Sequence, residues 1–156
     1  MIKISIPGYK ELHLRFLVLD FNGTLAADGK LLKGVAEKLN ELAGKLEVHV
    51  ITADTFGKAK AQLKGMKCKF IIIDEAEQQS QKLGYIAELG AESVVAIGNG
   101  RNDALMLKHA ALGIAVIQNE GACSETLMAA DVVCTNIIDA LELLENPLRL
   151  KATLRK

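Results

Sequence analysis

Tryptophan is absent from the 156 residues, and aromatic side chains make up only 4% of them. Half of the residues are hydrophobic, so a sizeable core is available, but it has to be aliphatic and rich in alanine. An excess of charge of either sign is missing too. Nineteen basic and nineteen acidic residues leave a formal net charge of zero, which gives no support to a nucleic-acid partner. Cysteine is sparse: Cys68, Cys123 and Cys134 are odd in number, and no two stand in C-x-x-C spacing. A disulfide framework and a zinc site are therefore disfavoured, and free thiols in a reducing compartment are expected. No apolar run approaches the ~18 residues of a membrane span. The opening "MIKISIPGYKELH" alternates apolar and polar residues, unlike the apolar stretch of a signal peptide. The expectation is a soluble, cytoplasmic protein with no membrane contact.

Proline is nearly absent from the interior, with Pro7 and Pro147 near the two ends, and no linker, repeat or low-complexity segment interrupts the chain. Its length suits one domain over residues 1–156. Ile2, Ile4 and Ile6 recur at strand period, "PGYK" breaks the pattern, and the apolar "LRFLVLD" follows. These two segments are expected to form an antiparallel hairpin, with residues 1–13 at a sheet edge. Apolar strands are expected at 46–52, 68–74, 93–98, 112–117 and 131–134, and helices at 33–43, 55–64, 76–89, 102–110, 122–129 and 136–145. Near-continuous apolar strands alternating with helices imply an α/β fold, a three-layer Rossmann-like sandwich around a mainly parallel sheet. The basic end, residues 146–156, reads as a surface helix or as a docking segment for another subunit.

In such sheets ligands bind outside the carboxyl ends of the strands. One strand ends at Asp20 and runs into "FNGTL", where a glycine lets the backbone turn toward an anion. Another ends in "ITADT", with Thr52 placed to hold a phosphate oxygen and Thr55 placed to cap the next helix. A third ends in "GNGRNDALML", where Asn102 can cap a helix whose first turn holds Asp103. Each alone also reads as an ordinary turn or cap. Together they suit a cation held by oxygen ligands, and Mg²⁺ is the ion that such a set with a substrate phosphate favours. Lys82 lies in a helical stretch, where a lysine is usually a solvated charge. His13, His49 and His109 pair with no nucleophile in this reading.

Over residues 14–145 the chain resembles the haloacid dehalogenase-like superfamily, with four motifs in family order: "DFNGTL", "ITADT", Lys82 and "GNGRNDALML". The details are most similar to the phosphorylation domain of P-type ATPases, without their membrane segments. The resemblance implies that Asp20 is a nucleophile forming an aspartyl-phosphate, that Thr52 and Lys82 hold the transferring oxygens, and that Asp103 supports the metal. It also implies Mg²⁺ ligation by Asp20, the Asn22 carbonyl, Asn99 and Asp103. Phosphate contacts are implied for Gly23, Thr24, Thr52, Ala53, Lys82 and Asn102.

Two departures bear on rate. Asn22 stands where most phosphatases of the superfamily carry a general acid/base, and an amide exchanges no proton at neutral pH. Such help is typically worth ~10²–10⁴-fold, so slow dephosphorylation is expected. Asn99 stands where the metal motif usually has aspartate, so weaker metal binding is expected. Residues 21–51 and 53–81 leave no room for a cap domain, and "TLAADGKLL" reads instead as a β-hairpin flap with Asp28-Gly29 as its turn. An uncapped site accepts a large substrate or borrows a lid from a neighbour, and uncapped relatives often form homo-oligomers. The expected partner is a phosphorylated small molecule or macromolecule. A phosphoryl-accepting protein and a phosphate- or Mg²⁺-binding protein without turnover are the alternatives to a phosphohydrolase.

Overall fold

The computed structural model describes residues 1–54 and 58–156. The central sheet takes its strands from the apolar runs: β3 (Phe16–Asp20), β6 (Glu47–Thr52), β7 (Lys69–Ile72), β8 (Val94–Gly98), β9 (Leu112–Val116) and β10 (Val132–Cys134). They lie in the order β10-β9-β8-β3-β6-β7, and every neighbouring pair is parallel. The chain builds outward from β3 through β6 to β7, then returns to β8 on the other side of β3. That reversal creates a crevice at the carboxyl end of β3, flanked by the ends of β6 and β8.

Both faces of the sheet are covered, which explains the lack of alternation in these strands. On β3, Leu17 and Leu19 join the larger core with Val95, Ile97, Val48 and Val50, beneath helices α1 (Val35–Leu42) and α6 (Ile137–Glu145). Val18 joins the opposite core with Ile51, Val94, Ala96 and Met106. That face carries α3 (Gln78–Leu89), α4 (Ala104–His109) and α5 (Ser124–Ala129). The short α2 (Lys58–Gln62) precedes β7, and α7 (Pro147–Leu154) closes the chain with Leu150 buried. Over the described residues the expected helices and strands are present, most with bounds a few residues shorter; residues 55–57 of the helix expected at 55–64 lie outside the described residues. Among the described residues no helix is long and apolar enough to cross a membrane.

The first hairpin differs from expectation. β1 (Ile2–Ser5) pairs with β2 (Glu11–Leu14), not with β3, and the two form a separate sheet rather than an edge of the central one. The break falls at Arg15, whose N–H donates to Ser93 and whose carbonyl accepts from Glu47. The isoleucines of β1, with Leu12 and Leu14, need burial, and the ribbon finds it by folding over the larger core. The flap forms as read: β4 (Ala26–Ala27) pairs with β5 (Lys30–Leu31). Asp28 and Gly29 have φ of 50° and 71°, the two positive values that a type I′ turn demands. Between β3 and α1 the chain holds this flap and no cap, and among the described residues between β6 and α3 it holds only α2, β7 and a 3₁₀ turn.

His49 is buried on β6, with Nδ1 2.6 Å from the Tyr85 hydroxyl and Nε2 3.0 Å from Glu47 Oε1. Burial holds its pKa below the ordinary histidine value, against the opposing pull of Glu47. The three cysteines are free and half-buried.

Candidate active site

Asp20 ends β3 and is 7% exposed, at the floor of a pocket of about 550 Å³ lined by Asn22, Thr52, Ala53, Asn99 and Asn102 among others. The neighbours follow from the strand order: Thr52 ends β6 on one side, and Asn99 follows β8 on the other. The deepest group is Lys82. It leaves α3 fully buried and places Nζ 2.7 Å from Asp20 Oδ1 and 2.6 Å from Asp103 Oδ1. It also lies 3.4 Å from Asn102 Oδ1. A solvated lysine is therefore excluded.

Electrostatics in this dry cluster oppose one another. Burial, then the Asp103 carboxylate, push Asp20 up to about 7, while Lys82 and the Phe21 N–H pull it down. Burial disfavours the Lys82 charge, but the two carboxylates outweigh it and hold the ammonium above its ordinary pKa. Lys82 is thus a fixed positive charge beside the Asp20 carboxylate. Among the described residues every buried side-chain nitrogen and oxygen has a hydrogen-bond partner.

Asp103 supports this arrangement from behind. Its Oδ2 accepts from the N–H groups of Asn99 (3.0 Å) and Gly100 (2.9 Å), and it has no exposed surface. Gly98 makes room, since a Cβ there would overlap the Asp103 carboxylate. Asn99 accepts at Oδ1 from Thr24 Oγ1 (3.2 Å) and donates from Nδ2 to the Gly121 carbonyl (3.0 Å).

The turn after Asp20 departs from expectation in detail. Gly23 and Thr24 were expected at a phosphate, but the Gly23 N–H goes to the Ala26 carbonyl (2.8 Å) and the Thr24 N–H to that of Phe21 (3.3 Å). Thr24 is fully buried, with Oγ1 3.4 Å from Asp20 Oδ2 as well as near Asn99. Neither residue lines the pocket, because a five-residue reversal spends its donors on closing itself. Gly23 has φ of 77°, and a Cβ there would overlap the Asn99 amide. Both residues therefore shape the site. Asn22 is exposed and lines the pocket, as do Ala53 and Asn102, whose Nδ2 donates to Gln78 Oε1 (2.5 Å). The Thr52 hydroxyl accepts from the Asp54 N–H (3.2 Å). Thr55 lies outside the described residues. Asp54 caps α2, accepting from Ala59 (3.0 Å) and Lys60 (3.4 Å) at the strained φ of 35°.

Sequence reasoning passed over the polar residues that tie the rim together. Gln62 accepts from the Leu31 N–H (2.5 Å) and donates to the Gly29 carbonyl, fastening the flap to α2. Glu120 accepts from the Asp28 N–H (2.8 Å), fastening the flap tip to the loop after β9. Gln118 binds the turn after Asp20, donating from Nε2 to the Gly23 and Thr24 carbonyls. Its one signal was position: it follows the apolar run "LGIAVI" at a carboxyl strand end.

The donor set fits Mg²⁺. Asp20, Asn22 and Asn99 face the pocket and offer only oxygen, and Mg²⁺ takes one or two carboxylates with waters and substrate phosphate. Among the described residues no group of three His, Cys, Asp or Glu side chains is arranged to hold a metal.

The fold recurs in solved structures. The 3-deoxy-D-manno-octulosonate 8-phosphate phosphatase of Moraxella catarrhalis, in complex with magnesium, phosphate and the KDO molecule, superposes with a TM-score of 0.65 at 20% identity, covering 92% of this chain and 94% of that one. The cobalt-bound deoxy-D-mannose-octulosonate 8-phosphate phosphatase of Haemophilus influenzae superposes with a TM-score of 0.71 at 13% identity, again over 92% and 94%. At the sequence level, an uncharacterised protein of Methanocaldococcus jannaschii is 53% identical over 78 residues, 47% of this chain and 84% of that protein. Residues 77–137 match the family model described as haloacid dehalogenase-like hydrolase. That stretch carries Lys82, Asn99 and Asp103, and this chain belongs to the haloacid dehalogenase-like hydrolase family.

Proposed function

We propose that the chain is a Mg²⁺-dependent phosphohydrolase that works through an aspartyl-phosphate on Asp20. The observation that carries this reading is Lys82 Nζ, fully buried behind Asp20 and held 2.7 Å from its Oδ1, where Asp20 itself lines the pocket. The Asp20 carboxylate attacks the phosphorus, a new P–O bond forms, and the bond to the leaving oxygen breaks. Thr52 and Lys82 hold the equatorial oxygens as charge spreads over them. Water then attacks the acyl phosphate, releasing inorganic phosphate and restoring the carboxylate. Asp20, Asn22 and Asn99 would hold Mg²⁺, which would supply charge neutralisation for the transferring phosphoryl group. The open pocket suits a phosphorylated substrate whose leaving group extends into solvent or under a lid from a second copy. Three free cysteines suit a reducing cytoplasm.

Turnover is slow in this reading. Asn22 lines the pocket where proton transfer to the leaving oxygen and from the attacking water is needed, and its amide does neither. The same residue favours a second reading, in which the aspartyl-phosphate persists and the chain acts as a phosphoryl acceptor. Acetyl phosphate and p-nitrophenyl phosphate, each with Mg²⁺ and with EDTA, test both. Steady Mg²⁺-dependent phosphate release that disappears in Asp20→Asn supports hydrolysis. A stoichiometric, hydroxylamine-sensitive label without turnover supports the acceptor. Turnover undiminished in Asp20→Asn refutes both.

A further inference from the structure

The loop between β9 and α5 contains none of the four motifs, yet it meets the nucleophile turn, the flap and the metal loop. Gln118 is its central contact. Its Oε1 accepts from the N–H of Ile137, the first residue of α6, at 2.7 Å. That bond settles the amide orientation, because the reverse would set an NH₂ against an N–H and an oxygen against carbonyls. Both Nε2 hydrogens then point to the nucleophile turn, reaching the Gly23 carbonyl at 3.1 Å and the Thr24 carbonyl at 2.8 Å.

The contacts continue in a closed circuit. Thr24 Oγ1 lies 3.2 Å from Asn99 Oδ1, and Asn99 Nδ2 donates to the Gly121 carbonyl. The Gly121 N–H returns to the Gln118 carbonyl at 2.8 Å, closing a turn in which Gly121 has φ of 73°. Each member restrains the next. With Nδ2 committed to Gly121, the Asn99 carbonyl oxygen is left facing Thr24, whose hydroxyl also lies 3.4 Å from Asp20 Oδ2. With carbonyls 23 and 24 drawn toward Gln118, the turn cannot rotate away from Asn99.

We propose that Gln118 is a positioning residue of the phosphoryl-transfer site, holding the 23–24 turn against Asn99 so that Asp20, Asn22 and Asn99 present their oxygens to one cation. This rests on the phosphohydrolase reading for its effect on rate, but not for its effect on metal affinity. One carboxylate and two amide oxygens supply less charge than the usual acidic set, so affinity here depends more on pre-alignment of the oxygens.

Two variants of the full chain test it. Gln118→Met keeps length and removes all three hydrogen bonds. Gln118→Glu keeps the acceptor for Ile137 but sets a carboxylate oxygen against two carbonyls. Calorimetric titration with Mg²⁺ alone is expected to show roughly tenfold weaker binding in each folded variant, as for other supporting residues of metal sites. With p-nitrophenyl phosphate at saturating Mg²⁺, kcat is expected to fall by about the same factor while KM changes less than about twofold. Unchanged Mg²⁺ affinity and kcat in either folded variant overturns the proposal. If neither variant folds, the Gln118 side-chain amide signals of the wild-type ¹⁵N spectrum decide: displacement on Mg²⁺ addition supports it, and no displacement refutes it. A wild-type chain that binds Mg²⁺ but hydrolyses nothing overturns the phosphohydrolase reading and leaves the calorimetric comparison decisive. A wild-type chain that binds no Mg²⁺ overturns both.

Discussion

Lys82 Nζ bridges two carboxylates, at 2.7 Å from Asp20 Oδ1 and 2.6 Å from Asp103 Oδ1, with all three groups withdrawn from solvent. The two acids reach it from different strands, β3 and the turn after β8, so one ammonium joins both sides of the crevice. Removing it strands two buried negative charges. Lys82→Met is expected to destabilise the protein by about 3–5 kcal/mol and to abolish phosphatase activity. Urea unfolding measures the first, and p-nitrophenyl phosphate turnover in the folded fraction measures the second. A Lys82→Met protein of wild-type stability refutes the uncompensated-charge account.

In the proposed mechanism, an acid two residues after Asp20 should supply proton transfer. Asn22 is exposed and lines the pocket, so Asn22→Asp fits without repacking. Its kcat is expected to rise by at least about tenfold, a conservative share of general acid–base catalysis. An equal or lower kcat in folded protein shows that deacylation is not limited at this position.

Chelation should both silence and soften the site. If Mg²⁺ binds at Asp20 as proposed, it would bind only the assembled crevice and is expected to raise the melting temperature in proportion to log[Mg²⁺] above its Kd. EDTA is expected to reverse this and stop turnover. The control is Asp20→Asn, in which the thermal shift should shrink. A shift of equal size in Asp20→Asn places the ion elsewhere.

Gly23→Ala tests the turn after Asp20 directly. The residue has φ of 77°, and a Cβ would overlap the Asn99 side chain. The strain alone is expected to cost about 1–3 kcal/mol. Displacement of Asn99 is expected to weaken Mg²⁺ binding as well. Calorimetry separates the two effects, and unchanged affinity in the folded variant refutes the coupling to Asn99.

His49 gives the fold an acid-sensitive point remote from the pocket. Burial lowers its pKa in the folded chain, so between that value and 6.5 the unfolded chain binds the extra proton. Stability from this residue is complete above about pH 6.5 and is lost as pH falls through that window. The expected result is a fall in the unfolding midpoint between neutral pH and pH 5 that is reduced in His49→Gln. An identical fall in both proteins assigns the acid sensitivity to other groups.

The motif residues were legible because phosphoryl chemistry demands particular groups at strand ends, and a strand end can be read from an apolar run that stops. Asp20, Thr52 and Asn99 fall at such ends, and the flap turn was legible because Asp28-Gly29 suits two positive φ values. Lys82 was legible only by family likeness, since nothing local distinguishes a buried lysine from a solvated one. Thr24 was misplaced because composition cannot say which way a hydroxyl turns within a five-residue reversal. The first hairpin was misassigned because the isoleucines of β1 require burial but do not specify which sheet provides it.

By itself the sequence determined the layered α/β architecture, the residues at the strand ends and the absence of room for a cap, because periodicity, turn chemistry and segment length are local properties. Tertiary structure alone decided the strand order that sets Thr52 and Asn99 on either side of Asp20, and the burial of Lys82 between two acids. It also decided the hydrogen bonds of Gln118 to Gly23 and Thr24. Those contacts join residues far apart along the chain, and a side chain's choice among distant partners depends on how the layers pack.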